Sequence, residues 1–321
     1  MSFLPSPNHP LGTDLWAEDL QALIKSRTNI RELQQWECFP TSLAQLVEWA
    51  TVAQHPTCTD QRRSHLIVYK MLPVPEPCGV LYPVSVCIYS FLDKFCVGEF
   101  GNWTGDCAKA AYAVQSLSIS GTGNTTAWQN QLEHLNLAAT FASRVLKIPL
   151  PAKQFQGRVH MQRKVFTKDL HPPDDQLTPP VNSAPQNTHL PKLLDYPWVW
   201  NGPVEILECN RDGTISPIHK VLLSQGDFME IDAEFDLVVV RMHTSRTHLH
   251  VFLTCKQILC LQSARSVQAS GMAQPPSSYT EIKRMCANAT TDNHCGTLQF
   301  SLVPCEPGRP SSSQVPGSFA E

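Results

Sequence analysis

The sequence has no apolar run approaching the ~18 residues that a helical membrane span needs, so insertion into a bilayer is not expected. Its start, Met1-Ser-Phe-Leu-Pro-Ser-Pro-Asn, has neither a cationic stretch nor an apolar one, and a non-secreted protein of cytoplasm or nucleus is expected. Glycine is scarce, at 15 of 321 residues against a usual ~7%. No Gly-x-Ser-x-Gly, His-Glu-x-x-His or kinase-type signature occurs, which makes an enzyme the secondary reading and leaves no cofactor expected.

Twelve cysteines are present, an even number that suggests disulfides, yet a chain without a leader normally stays where thiols are kept reduced. They are read as thiols. By the same reasoning the triplets at Asn102, Asn124 and Asn288 are chance matches to the glycosylation pattern. Cys255-x4-Cys260 and Cys286-x8-Cys295 lack the two-residue spacing with which one turn grips zinc.

What is abundant is proline, at 26 residues, and it clusters. The runs divide the chain into a short start (1–11), a mixed α/β domain (12–168), a Pro-rich linker (169–197), a β module (198–262) and a tail (263–321) expected to be mostly disordered. The fold class expected is therefore α+β. In the first domain Trp16, Leu20, Leu23 and Ile24 share a helical face, and Asn29 with Glu32 resembles a capping box. Thr41 is read as capping a third helix. His65–Leu72 and Val80–Tyr89 read as buried strands, Asp106–Leu117 as a helix, and Thr126–Lys147 as a longer helix with Trp128, Leu132, Leu135, Ala139, Ala142 and Leu146 at a period of three or four.

The β module shows no helical period. Val204–Cys209, Ile218–Leu223, Asp227–Phe235, Leu237–Met242 and His248–Leu261 are strand candidates, separated by turn residues such as Asn210-Arg-Asp-Gly and Ser224-Gln-Gly. Five short strands in that length suggest a small barrel or sandwich, OB-like at this size. The run Gly226-Asp-Phe-Met-Glu-Ile-Asp-Ala-Glu-Phe, followed by His248-Leu-His-Val-Phe-Leu-Thr-Cys, resembles the end of uncharacterised proteins from mushroom-forming fungi, and also the strands of OB-type replication proteins. The fungal resemblance implies no activity.

Charge is unevenly placed. Arg144, Lys147, Lys153, Arg158, Arg163, Lys164 and Lys168 occur with no acid between residues 134 and 168, and Phe155 and Phe166 lie among them. Cations interleaved with rings suit a single-stranded nucleic acid, whose phosphates and bases they would meet. The bland alternative is a solvated face. In the β module eight acids (Glu205, Glu208, Asp212, Asp227, Glu230, Asp232, Glu234 and Asp236) outnumber five bases, which would repel phosphate and favours a protein partner. His248 and His250 alternate onto one strand face near His243, a candidate metal set. Gly121-Thr-Gly-Asn lacks the rest of a phosphate loop and reads as a turn before a helix N-cap. The leading expectation is a non-enzymatic adaptor, part of a nucleic-acid-handling assembly. Its alternatives are single-strand binding through 144–168 and a thiol or metal enzyme using Cys78, Cys87, Cys96 and Cys107.

Overall fold

The structure, a computed structural model, describes residues 1–27, 33–56, 64–70, 81–150, 154–168, 198–210, 212–241 and 247–269. In chain order the strands are β1 (Ser2–Phe3), β2 (Ala50–Gln54), β3 (Ser64–Tyr69), β4 (Ser85–Cys96), β5 (Val114–Ser120), β6 (Val159–Lys164), β7 (Phe166–Lys168), β8 (Trp198–Trp200), β9 (Glu205–Cys209), β10 (Ile215–Pro217), β11 (Phe228–Arg241) and β12 (Thr247–Gln262). The helices are α1 (Glu18–Arg27), α2 (Leu43–Trp49), α3 (Thr125–Leu146) and α4 (Ala264–Ala269), so the class is α+β as expected. Among the described residues no helix is long and apolar enough to cross a membrane.

The helices with a clear apolar period form where the sequence places them. α1 buries Leu20 and Ile24 one turn apart, with Glu18 and Asp19 in its first turn and Lys25 and Arg27 in its last, complementing the helix dipole. α3 buries Trp128, Leu132, Leu135, Ala139 and Ala142. The turn before it is close-packed, since a Cβ on Gly121 would lie 2.3 Å from the Trp128 Cβ. α2 is capped by Ser42 rather than Thr41, and it stops at Ala50, where the chain becomes strand β2. The expected helix at 106–117 is instead a 3-10 turn (Cys107–Tyr112) followed by β5. Asp106 still caps it, as its carboxylate accepts the Ala108 N–H.

Ten strands make one mixed sheet. β4 pairs antiparallel with β5 and β5 with β6; β6 runs parallel to β12, β12 pairs antiparallel with β11, and β11 returns antiparallel to β4. The pairing thus closes a circuit of five strands. β9 and β10 extend it beyond β12, and β3 and β2 extend it beyond β11. Two of the bends carry a bulge with a charged extra residue. Asp93 is inserted in β4 between Leu92 and Lys94, and Lys256 in β12 between Cys255 and Gln257. Each is held by an ion pair across 3.2 Å, Asp93 with Arg158 and Lys256 with Glu234.

Because β11 and β12 pair with β4, β3 and β6, the 198–262 stretch is not a separate module. Met1–Pro275 is one compact unit, and the expected division at 169–197 does not divide it. The reason is the length of β11 and β12, whose pairing capacity exceeds what β9 and β10 offer. Phe228–Arg241 is moreover one strand where two were expected, Met242 lying outside the described residues, and Ile218–Leu223 holds a 3-10 turn (Lys220–Leu222). The linker 169–197 and the tail from 270 onward lie outside the described residues.

The main core fills the side of the sheet that carries Val86, Ile88, Leu117, Met161, Ile231 and Leu253, together with the buried face of α3. The opposite side of β4, β11 and β12 is covered by the N-terminal segment and α1, where Trp16 meets Phe228 edge-on at 5.3 Å. A third cluster, Phe100, Trp103, Phe166 and Trp200, braces the β4–β5 connection.

Candidate functional site

The basic stretch expected to track phosphates is largely engaged within the fold. Arg163 donates to Gln115 Oε1 at 3.1 Å, to the Gly202 carbonyl at 2.6 Å and to the Asn201 carbonyl at 2.5 Å, tying the chain before β9 to β5 and β6. Lys164 donates to the Ala111 carbonyl at 2.6 Å, and Lys168 sits 5.0 Å above the Trp198 ring. Arg158 faces Asp93. Arg144 and Lys147 are exposed at the end of α3, and Lys153 lies outside the described residues. Phe155 is 6% exposed and Phe166 1%, so neither ring is offered to a base. The interleaving noticed in the sequence is core packing, because both rings belong to strands or turns that face hydrophobic clusters.

The acids of β11 are also engaged. Glu230 meets Arg27 at 3.5 Å, Asp232 accepts from Ser85, Glu234 meets Lys256, and Asp236 accepts from Ser64 at 2.6 Å. Asp227 accepts the Ser224 and Ala264 N–H groups, each at 2.7 Å, and so ties the turn before β11 to the start of α4. The acidic excess read as a docking face is therefore mostly mortar between elements. Burial pushes the Glu230 and Asp227 carboxyls above their ordinary range.

His248 and His250 share a face of β12, as their alternation predicts, and His250 stacks on Phe252 with centroids 6.2 Å apart. Burial, with His248 adding to it, pulls the His250 imidazole below its ordinary value. His243 lies outside the described residues, and among those described no three His, Cys, Asp or Glu side chains gather to hold a metal ion. The cysteine cluster fares similarly. Cys87 is buried, Cys107 exposed, and Cys78 outside the described residues. Burial pushes the Cys255 and Cys260 thiols up to about 12 and the Cys87 thiol well above its usual value, so these three are protonated and unreactive as nucleophiles. Gly121-Thr-Gly-Asn is a turn before α3, whose N-cap is Asn124.

Two recesses were not legible in the sequence. One, of about 770 Å³, lies along α3 and is lined by the apolar Leu132, Leu137, Leu150 and Phe155 and by the polar Gln129, Glu133, Asn136, Thr140 and Gln156. Asn136 fixes its wall: its side-chain Oδ1 accepts the Gln154 and Phe155 N–H groups at 3.1 Å, and its side-chain Nδ2 donates to the Phe155 carbonyl at 2.8 Å. The other, of about 310 Å³, is lined by Gln54, His65, Leu146, Ile148 and Val239. The first lies between α3 and the chain that follows it, and the second depends on contacts between distant segments, which no local pattern announces. Comparison of the chain with protein families, with curated proteins and with solved structures finds no match.

Proposed function

We propose that the chain is a non-enzymatic binding module, an adaptor for a polypeptide partner, built on an OB-like five-stranded barrel. The closed circuit of pairings supports the barrel: three consecutive antiparallel strands, β4, β5 and β6, then a parallel step to β12 and a return through β11, a Greek-key order suited to that architecture. The observation that carries the polypeptide reading is the chemistry of the two recesses, neither of which has a Lys or Arg among the described residues of its lining. Apolar side chains interspersed with amides and, in the larger recess, the Glu133 carboxylate suit peptide groups and apolar side chains, whereas phosphates need cations.

A second reading, single-stranded nucleic acid along β5 and β6, has one observation in its favour: these strands contain no Asp or Glu, and His160 and Gln162 are exposed on them. One titration separates the two. Purified full-length chain is mixed with a labelled thirty-nucleotide single strand at low salt and then at rising salt. The adaptor reading expects no saturable binding in the low micromolar range; salt-dependent binding there would replace it with the nucleic-acid reading. Affinity capture followed by reconstitution from purified components is the positive arm, and a stoichiometric complex with a protein is the expected result.

A further inference from the structure

The strand at one end of the sheet is open on one side. The Trp49 carbonyl accepts from the Lys70 N–H at 2.9 Å, and the His55 N–H donates to the Ser64 carbonyl at 3.0 Å. Antiparallel pairing alternates, so Thr51 and Ala53 also direct their peptide groups to β3, while Val52 and Gln54 direct theirs away from it. Among the described residues nothing pairs with that outer edge, because β2 has β3 as its one strand neighbour.

Natural edges are usually blunted by proline, lysine, a bulge or an inward charge. The opposite end of the sheet follows that rule, since β10 ends on Pro217. β2 does not: Ala50-Thr-Val-Ala-Gln54 is uncharged, has no proline and pairs with β3 without a register shift. Its surroundings are apolar as well. The smaller recess begins at Gln54 and has Leu146, Ile148 and Val239 in its wall. Val47 on α2 is 52% exposed and Val145 on α3 is 43% exposed, and both helices pack against β2. Among the described residues, the exposed charges on the segments flanking this uncharged edge are Arg144 and Lys147 at the end of α3, Glu48 on α2, and Lys70 after β3, whose ammonium donates to the Val47 carbonyl at 2.6 Å.

We propose that β2 is a strand-addition site for an extended segment of a protein partner. The segment pairs its backbone with Val52 and Gln54, places an apolar side chain in the recess beside Gln54, and carries an Asp or Glu that meets Arg144 and Lys147. Backbone pairing supplies affinity, and the recess together with the cations supplies selectivity. This inference rests on the polypeptide-adaptor reading and gives it a location and a ligand class.

The test uses the full-length chain and a displayed library of random heptapeptides, panned on wild type and subtracted against V52P. Proline at 52 removes an N–H that no strand uses, so the strand should persist, and the lost packing of the half-buried Val52 side chain on the main core should lower the melting temperature only modestly. Expected are enriched peptides with alternating apolar residues and an acidic residue. Their synthetic versions should lose about tenfold or more in affinity on V52P, and several-fold on R144E/K147E, a variant that leaves the edge intact. Saturation with such a peptide should slow hydrogen exchange at the Val52 and Gln54 amides and leave Thr51 and Ala53 unchanged. The proposal is overturned by equal enrichment on wild type and V52P, by lysine-rich peptides, by protection elsewhere, or by self-association of the chain through β2. If a reconstituted protein partner binds V52P as well as wild type, the edge proposal falls and the adaptor reading stands. If the chain binds oligonucleotide and no polypeptide, both fall.

Discussion

Between Cys87, where β4 stops pairing with β1, and Phe91, where it starts pairing with β5, one edge of β4 lacks a strand, and the buried Gln131 side chain fills the gap. Its amide oxygen accepts the Tyr89 N–H at 2.9 Å and its amide nitrogen donates to the Tyr89 carbonyl at 2.7 Å, as a neighbouring strand's peptide group would. Gln131→Leu therefore strands both groups in the core, and the expected loss is about 2–4 kcal/mol by urea denaturation. A loss under about 0.5 kcal/mol would show that water replaces the amide. Glu230 makes a different prediction. Burial, only partly offset by Arg27, raises its carboxyl above the ordinary 4.5. A raised folded value means that its stabilising contribution is complete below about pH 4.5 and is lost as pH rises through that value. E230Q removes this dependence, so its stability relative to wild type should improve between about pH 4 and pH 7; a difference constant with pH would refute the assignment. The buried thiols give a third. Under native conditions at about pH 8, alkylation mapped by mass spectrometry should spare Cys87, Cys255 and Cys260 and modify the exposed Cys107.

At the level of elements, what the sequence made legible is what is locally periodic. α1 and α3 stand where Leu20 and Ile24, and Trp128 through Ala142, repeat on one face. β12 stands where His248–Leu261 shows no helical period. Leu43, Leu46, Val47 and Ala50 satisfy a helical stripe in the sequence, yet pairing with β3 overrides that propensity from Ala50 onward. Asp106–Leu117 likewise reads as a helix behind an Asp cap, yet Ala113 is drawn against Val165, whose N–H donates to its carbonyl at 3.0 Å. The candidate sites were less legible still. An open strand edge exists only relative to a whole sheet, and four of the cations in the basic stretch, Arg158, Arg163, Lys164 and Lys168, are engaged within the fold. Arg163 illustrates the point. Replacing it with methionine leaves the Asn201 and Gly202 carbonyls without their donor, and hydrogen exchange should quicken around residues 198–204 and 97–102 well before global unfolding. Unchanged exchange there would show that the aromatic cluster of Phe100 and Trp200 holds this end unaided.

For the molecule as a whole, the circuit of pairings makes residues before and after 169–197 one cooperative body. Expressed alone, residues 198–262 lack β4, β5 and β6 and should give the circular dichroism of an unfolded chain, while residues 1–269 should melt in one transition. An independently folded 198–262 fragment would restore the two-module organisation.

The same circuit sets a timetable for biosynthesis. β4, β5 and β6 leave the ribosome well before β11 and β12, the two strands that close the ring, and the interval includes the whole of 169–197. During that interval β4 and β6 each present a strand edge without its final neighbour, flanking apolar side chains meant for the core. A nascent chain in this condition is a ready substrate for chaperones that shield extended segments, and slowing translation upstream of Phe228 should lower the yield of native protein rather than raise it.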